Sequence, residues 1–144
     1  MEGIQIIPLE IHADPRGFLF NPLEIGALVD QPVCHFHIYT IEPGAIRGNH
    51  YHTDRSEWLF GIGGQAKLFR IYPEDRSVQL IHEFLDQQAV MIEIDRFIPH
   101  FLYNDSGSRF TGASFSTVKA QGMDTKWTPF TPDELKEMVR HAGS

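Results

Sequence analysis

The sequence predicts an all-β domain of the barrel or sandwich type, with one short helix at its C-terminus. Between residues 33 and 117, short runs of apolar and β-branched residues alternate with turn signals. The runs recur at roughly the 8–12-residue spacing that is typical of sandwiches and barrels. With 144 residues the chain has the length of a single domain, and we expect one domain over residues 1–144.

Each expected strand is bounded by residues that favour turns. Proline and glycine are the strongest of these, because they fix or relax the backbone angles that a turn requires. The clearest turn covers residues 104–107, with the sequence Asn-Asp-Ser-Gly. In chain order, the expected strands cover residues 35–41, 57–62, 65–72, 78–85, 89–94, 98–103 and 109–118, with turns at residues 42–44, 63–64 and 73–77 among them.

The C-terminal segment carries the start signal of a helix. Thr131 and Glu134 have the spacing of a capping box, and Pro132 occupies the first helical position. Leu135 and Met138 follow on one face of the expected helix. We therefore expect a short amphipathic helix after the last strand.

Composition excludes several classes of partner. Twelve basic and 19 acidic residues give a formal net charge of −7, and no basic cluster stands out, so we expect no binding to nucleic acid. No apolar run reaches the length of about 18 residues that a membrane span needs, and the N-terminus lacks the pattern of a signal peptide. Cys34 is the only cysteine, which excludes an internal disulfide. We expect a cytoplasmic protein with no membrane partner.

The strongest chemical signal is a pair of histidines followed by a glutamate. His50 and His52 are two residues apart, and on a strand such side chains face the same side. If the chain turns at residues 54–55 and returns antiparallel, Glu57 comes back beside them. Two imidazoles and a carboxylate suit a divalent ion, and His100 is the natural fourth ligand. These ligand types do not distinguish Zn, Mn, Fe and Ni from one another.

The spacing of these residues resembles the first motif of the cupin superfamily. Gly44 and Gly64 stand on either side of His50, His52 and Glu57 at the positions that define this motif. The resemblance implies a β-barrel or jelly roll of six to eight strands, a double-stranded β-helix, with the pocket inside and a homodimeric assembly.

The second cupin motif is matched in part. His100 and Asn104 fit its H-x-x-x-N end, and Ile98-Pro99 precedes it as in many members of the family. Asp95 stands where the family usually has proline, and Phe97 where it usually has glycine. The resemblance therefore covers residues 44–104 and is more specific in its first half.

Two further stretches resemble a narrower group, the dTDP-4-dehydrorhamnose 3,5-epimerases with the sugar ketoisomerases and the capsular polysaccharide cupin domains. They are residues 14–20 and 47–51, and each contains an arginine. The resemblance implies that Arg16 and Arg47 hold the diphosphate of a nucleotide sugar, which a guanidinium can bind bidentately. Arg47 has the strand parity opposite to that of His50, so a bulge at Gly48 is needed to bring it to the same side.

The sequence also departs from the epimerases. In the epimerases, the histidine at the position of His50 is the general base. Their catalytic lysine has no counterpart near Glu57, and Phe115 lies where they carry an acid tyrosine. The His-x-His pair looks more like that of the ketoisomerases, which work without metal. It also resembles the capsular cupin domains, which match residues 48–52 and hold a metal.

Several residues outside the motifs are weaker candidates. His35 and His37 form a second His-x-His, and we expect His37 to contact substrate in the same interior. Tyr103 could donate a proton to a sugar oxygen. His12 and His82 stand alone and are expected to be structural.

The expected function is that of a metal-binding isomerase or epimerase acting on a keto sugar nucleotide or a similar small polar substrate. His50, His52 and Glu57 are the expected catalytic residues, because a divalent ion that polarises a carbonyl acidifies the adjacent C–H bond. Three alternatives stay open at this point: a metal-independent sugar ketoisomerase, an iron-dependent dioxygenase, and a non-catalytic sugar-binding cupin.

Overall fold

The computed structural model describes residues 2–28, 30–118 and 124–143. Strands dominate these residues, as the sequence predicts. They are β1 (Ile4–Pro8), β2 (His12–Asp14), β3 (Gly17–Leu19), β4 (Cys34–Ile41), β5 (Ile46–His52), β6 (Glu57–Gly63), β7 (Ala66–Tyr72), β8 (Ser77–Phe84), β9 (Val90–Ile94), β10 (His100–Tyr103), β11 (Phe110–Ser116) and β12 (Thr125–Trp127), with a 3₁₀ helix at Gly26–Leu28 and the α-helix α1 at Pro132–Ala142.

The strands form two five-stranded sheets and one small hairpin. The first sheet has the order β1-β9-β6-β11-β4, the second has the order β12-β5-β10-β7-β8, and β2 pairs with β3. The pairings in both sheets are antiparallel. The sheets are not closed into a continuous barrel, so the fold is a jelly roll, and the expected all-β class is confirmed.

Three apolar clusters hold together the two sheets, the helix α1 and the segments before β4. The inter-sheet core contains side chains of both sheets, among them Leu59, Leu68, Ile92 and Phe110. Outside the second sheet, α1 packs on a cluster that includes Phe101. A third cluster covers the outer face of the first sheet, where the segments before β4 contribute Leu9, Phe20, Ile25 and Leu28.

Burial on both faces explains the apolar run of β6. Glu57 and Leu59 face the interior between the sheets, whereas Trp58 and Phe60 face the outer cluster of the first sheet. Successive side chains of a strand point to opposite faces, so a strand covered on both sides needs apolar residues at nearly every position. The same alternation places Glu57 inside the molecule.

The C-terminal helix begins where the capping box predicts. The backbone N–H of Glu134 donates to Thr131 Oγ1 at 3.1 Å, and the Thr131 N–H donates to Glu134 Oε1 at 3.0 Å. Leu135 and Met138 are buried against the second sheet. Within the described ranges, the structure contains no helix with the length and hydropathy of a membrane span.

Candidate active site

A cavity of about 770 Å³ opens between the two sheets at one end of the molecule. Its walls come from β4, β6 and β11 of the first sheet and from β5, β10 and β12 of the second. At the other end of the sandwich the same space is filled by the inter-sheet core. The cavity therefore replaces one half of the interior, and inward-facing residues of six strands reach it.

Four of the residues singled out in the sequence lie together at this cavity. His50 and His52 project from β5, Glu57 begins β6, and His100 begins β10 directly opposite His50. The His52 Nε2 to Glu57 Oε2 distance is 2.6 Å, and the Nε2 atoms of His50 and His100 are each 3.8 Å from a Glu57 carboxylate oxygen. One carboxylate is thus surrounded by three imidazoles.

The electrostatics of the cluster follow from burial and from this arrangement. Burial alone would raise the pKa of Glu57, but interactions with His100, His50 and His52 hold that pKa well below its usual value. Burial lowers the pKa of His50, although Glu57 partly opposes the shift. For His100, burial acts to lower the pKa, but the interaction with Glu57 outweighs it and leaves the pKa raised. Glu57 therefore stays ionised.

The donor atoms of the cluster fit a divalent metal ion. Ligand atoms of His50, His52 and Glu57 all lie within 4.8 Å of one another. His100 Nδ1 donates to the Ile98 carbonyl at 2.9 Å, so Nε2 is the nitrogen that faces the cluster. His100 is only 3% exposed, and its Nε2 has no hydrogen-bond partner among the described residues. An imidazole held in this way is suited to ligate a metal.

A β-bulge brings Arg47 into the same cavity. The pairing of β10 with β5 passes from His100–His50 to Phe101–Gly48, so that Asn49 is the extra residue. Gly48 and Asn49 both have positive φ angles, 96° and 63°. A Cβ on Gly48 would lie 3.1 Å from the backbone Cα of Phe101, so this position favours glycine. The bulge restores the parity of Arg47 with His50, and Arg47 lines the cavity.

The opposite wall of the cavity is formed by β4. His35, His37 and Tyr39 share strand parity, and all three line the cavity. His37 therefore lies where the sequence predicted it. Burial, together with the charge of Glu57, strongly raises the pKa of the Tyr39 phenol, so Tyr39 stays protonated. The strand parity visible in the sequence could have identified Tyr39 along with His37.

The structure does not bring two of the expected substrate residues to the cavity. Arg16 lies at the turn between β2 and β3, where its side chain is 90% exposed and bonded to Asp14. Tyr103 faces α1, and the ammonium group of Lys136 lies 5.8 Å from the centre of its ring. The parity of β10 explains this position, because His100 and Leu102 occupy the inward positions of that strand.

Phe115, at the position where the resemblance to the epimerases led us to look for an acid tyrosine, packs mainly on the outer face of the first sheet. Its ring stacks on Trp58 at a centroid distance of 6.4 Å and belongs to the outer cluster of the first sheet, although its edge reaches the cavity. Ser114 and Ser116 line the cavity on either side of it. This strand therefore supplies hydroxyl groups but no phenol.

Sequence reasoning missed the contribution of β12 and the residue before it. Thr125 Oγ1 lies 3.2 Å from His52 Nδ1, and Asp124 Oδ2 lies 3.5 Å from the same nitrogen. Asp124 is buried and also pairs with Arg55 at 3.2 Å. Trp127 lies opposite His50 in the sheet. A three-residue strand is too short to show alternation, so only the pairing with β5 reveals these residues.

Comparisons with known proteins agree with this fold. A sugar 3,4-ketoisomerase, QdtA from Thermoanaerobacterium thermosaccharolyticum, solved in complex with TDP, is 16% identical and superposes with a TM-score of 0.72 over 98% of each chain. The dTDP-6-deoxy-D-glucose-3,5-epimerase RmlC of Legionella pneumophila is 15% identical, with a TM-score of 0.72 over 94% of this chain and 77% of that one. A dTDP sugar isomerase of Desulfovibrio desulfuricans is 10% identical, with a TM-score of 0.74 over 92% of each chain.

The fold and the arrangement of the four motif residues define the protein as a cupin. A family model described as the polysaccharide biosynthesis C-terminal domain matches residues 12–117. The chain belongs to this family. A search among curated proteins finds no match.

Proposed function

We propose that the protein is an isomerase or epimerase of a keto sugar nucleotide, and that a divalent ion held by His50, His52, Glu57 and His100 assists the reaction. One observation carries the proposal: three imidazoles surround an ionised carboxylate at the wall of a cavity that also contains Arg47. This arrangement offers a base, metal ligands and a phosphate-binding group in one space large enough for a small substrate.

The comparisons support the choice of substrate. The solved structures with this fold include enzymes acting on dTDP-linked sugars, and one of them holds TDP. The family model is named for polysaccharide biosynthesis, which consumes activated sugars. A nucleotide sugar is therefore the substrate class to test first.

Arg47 is suited to bind the diphosphate. Its Nε donates to the carbonyl oxygen of Thr40 at 2.8 Å, which fixes the orientation of the guanidinium against β4. The terminal nitrogens then remain as paired donors for phosphate oxygens, a geometry that lysine cannot supply. Arg47 thus links the two walls of the cavity and directs its charge into it.

In the metal-independent form of the reaction, where the His50 lone pair is free, proton transfer is assigned to His50 and Tyr39. Burial lowers the pKa of His50, so its imidazole is neutral at physiological pH and can accept a proton from the carbon next to the ketone. The C–H electron pair then moves to the carbonyl oxygen to give an enolate. Tyr39, whose burial keeps the phenol protonated, is the group assigned to return a proton. Return to the opposite face of the same carbon gives an epimer. Return to the former carbonyl carbon, together with transfer of the proton of the adjacent hydroxyl to the enolate oxygen, gives an isomeric ketone.

The metal ligands are assigned from the donor set. His50, His52, Glu57 and His100 provide three nitrogens and one carboxylate, a combination that suits Zn, Mn, Fe or Ni. A bound ion supplies Lewis-acid polarisation of the substrate carbonyl. Asp124 and Thr125 lie near Nδ1 of His52 and hold that ring in position.

The metal-independent ketoisomerase is the second candidate, and one contact favours it. His52 Nε2 and Glu57 Oε2 are 2.6 Å apart, the distance of a short charge-assisted hydrogen bond. In that bond His52 acts as donor and Glu57 holds the orientation of the imidazole. The two candidates share the substrate and differ in the ion, which makes His50 a ligand in the first and leaves it free as the base in the second.

Exchange of a substrate proton with solvent tests the proposed reaction. The purified protein is incubated with TDP-4-keto-6-deoxyglucose in D₂O and followed by proton NMR, which detects deuterium at the carbon beside the ketone whatever the product. We expect enzyme-dependent exchange that the His50→Asn variant loses and the surface variant Leu80→Ala retains. Absence of exchange, with and without added divalent ions, contradicts the proposal.

Metal analysis separates the two candidates. Protein purified without chelators is analysed by inductively coupled plasma mass spectrometry, in parallel with Glu57→Gln. We expect about one ion per wild-type chain and a much smaller content in the variant, because the substitution removes the anionic ligand. Full activity after chelation, with no metal in the wild-type protein, establishes the metal-independent reaction instead.

A further inference from the structure

Trp127 combines strong exposure with a place in the cavity wall. Trp127 is 70% exposed, yet it lines the cavity. The indole meets the ring of His50 at a centroid distance of 5.4 Å and an interplanar angle of 63°. An exposed tryptophan in contact with a candidate catalytic base is an uncovered apolar surface at the reacting end of the cavity.

The position of Trp127 is fixed by its neighbours. Trp127 pairs with His50 across the β12–β5 ladder. One residue further on, the N–H of Thr128 donates to the Asn49 carbonyl at 3.0 Å, and the side chain of Asn49 donates to the Phe130 carbonyl at 2.7 Å. The hydroxyl of Thr128 also donates to Asn49 Oδ1. The bulge that brings Arg47 inward thus also anchors the segment that carries the indole, which is preorganised before a ligand binds.

The separation of Trp127 from Arg47 indicates which part of a ligand it contacts. Because of the bulge at Asn49, Arg47 and His50 pair with Leu102 and His100, which are two residues apart, so they are offset by roughly 7 Å along the strand. A sugar with its reacting carbon at His50 therefore extends its diphosphate towards Arg47, away from the indole. The C–H groups on one face of a pyranose are apolar and slightly positive, and they complement the negative face of an indole.

We propose that Trp127 is the wall on which the sugar ring of the substrate packs, so that it recognises the sugar and not the nucleotide. This inference rests on the proposed function. It assigns to Trp127 the binding of the hexose moiety of a sugar nucleotide beside the base His50, whereas Arg47 binds the diphosphate.

Isothermal titration with two ligands tests the assignment. TDP lacks the sugar, and TDP-glucose carries it but has no ketone to react, so both report binding alone. For Trp127→Ala we expect about tenfold weaker binding of TDP-glucose, an effect typical of losing one aromatic stacking partner, and binding of TDP within twofold of wild type. Trp127→Phe should recover most of the lost affinity, and Leu80→Ala, at an exposed position of the edge strand β8, should bind both ligands like wild type.

The other outcomes overturn the assignment in distinguishable ways. If Trp127→Ala binds TDP and TDP-glucose equally weakly, the indole contacts the nucleotide or supports the fold. If Trp127→Ala binds TDP-glucose like wild type, the indole contacts neither the sugar nor the nucleotide. Failure of wild-type protein to bind either ligand removes the proposed function along with this inference.

Fluorescence provides a second readout. The chain has two tryptophans, so the Trp58→Phe variant reports Trp127 alone. We expect its emission to respond to TDP-glucose and not to TDP, and a response to both ligands contradicts the assignment.

Discussion

The interior between the two sheets has an apolar half and a polar half. In the apolar half, side chains of both sheets form the inter-sheet core, including Leu68, Ile92 and Phe110. In the other half, the inward positions of the same sheets carry histidines, Glu57 and Arg47 around the cavity. Both halves use the same strand alternation, and they differ only in residue type.

The border between the halves runs along single strands. On β6 the inward positions are Glu57 and then Leu59, and on β10 they are His100 and then Leu102. Leu59 and Leu102 belong both to the core and to the cavity wall. The apolar half therefore fixes the strands that carry the polar half. Substitutions in the apolar half should change stability, and substitutions in the polar half should change activity.

The largest effect is expected in the polar half. Replacing His50 with alanine removes the assigned base, and loss of general base catalysis lowers turnover roughly 10²–10⁴-fold. The core lies elsewhere, so we expect the thermal midpoint to stay within a few degrees of that of the wild type. Proton exchange in D₂O and a thermal melt on the same sample check both expectations. A variant that unfolds at a much lower temperature would show that the cluster supports the fold.

The apolar half should show the reverse behaviour. Phe110 is 1% exposed and packs on Phe84 at a ring-centroid distance of 5.9 Å. We expect Phe110→Ala to lower the free energy of unfolding by about 3–5 kcal/mol, because it leaves a cavity between the sheets. Urea denaturation measures this change. At a temperature where the variant is folded it should bind TDP like wild type, and a parallel loss of binding would contradict the separation of the halves.

The sequence predicted most of the strands and the position of the histidine pair, because the signals that mark them are local. Turn residues delimited the strands from 35 to 118, and strand parity placed His50 beside His52. By parity alone, Arg47 faces the side opposite to His50 and His52, and the bulge at Gly48 turns it to their side. The capping box at Thr131 was confirmed residue by residue.

What the sequence did not predict depends on long-range pairing. The strands β1, β2, β3 and β12 have three to five residues each, and β2 and β3 are exposed throughout, so no alternation marks them. Trp127 and Thr125 reach the cavity, and Asp124 reaches His52, only because β12 pairs with β5. The expected homodimer stays a prediction, and so do the identity of the metal and the cytoplasmic location.

Asn104 follows β10 of the second sheet and bonds to β4 of the first sheet, and its loss should have an intermediate effect. The residue is fully buried, and its side-chain amide donates to the Ile41 and Ser108 carbonyls at 2.8 and 2.7 Å. Its Oδ1 accepts from the N–H of Ser106 at 2.9 Å. Asn104→Ala leaves these groups without partners, at a cost of roughly 1–3 kcal/mol in unfolding free energy. Urea denaturation measures the change in unfolding free energy. A change below 0.5 kcal/mol is ordinary for surface sites and would contradict a structural role of Asn104.

The smallest effect is expected outside both halves, at the start of α1. Thr131 Oγ1 accepts from the Glu134 N–H at 3.1 Å, and removing such a cap costs about 1 kcal/mol. Because α1 covers the outer face of the second sheet and no residue of α1 lines the cavity, Thr131→Ala should lower stability in urea while proton exchange stays at the wild-type rate. Thr131→Ser keeps the acceptor oxygen and should retain most of the stability. If Thr131→Ala slowed exchange without unfolding the protein, the helix would have to act on the cavity through the second sheet, and the division of the interior into independent halves would be wrong.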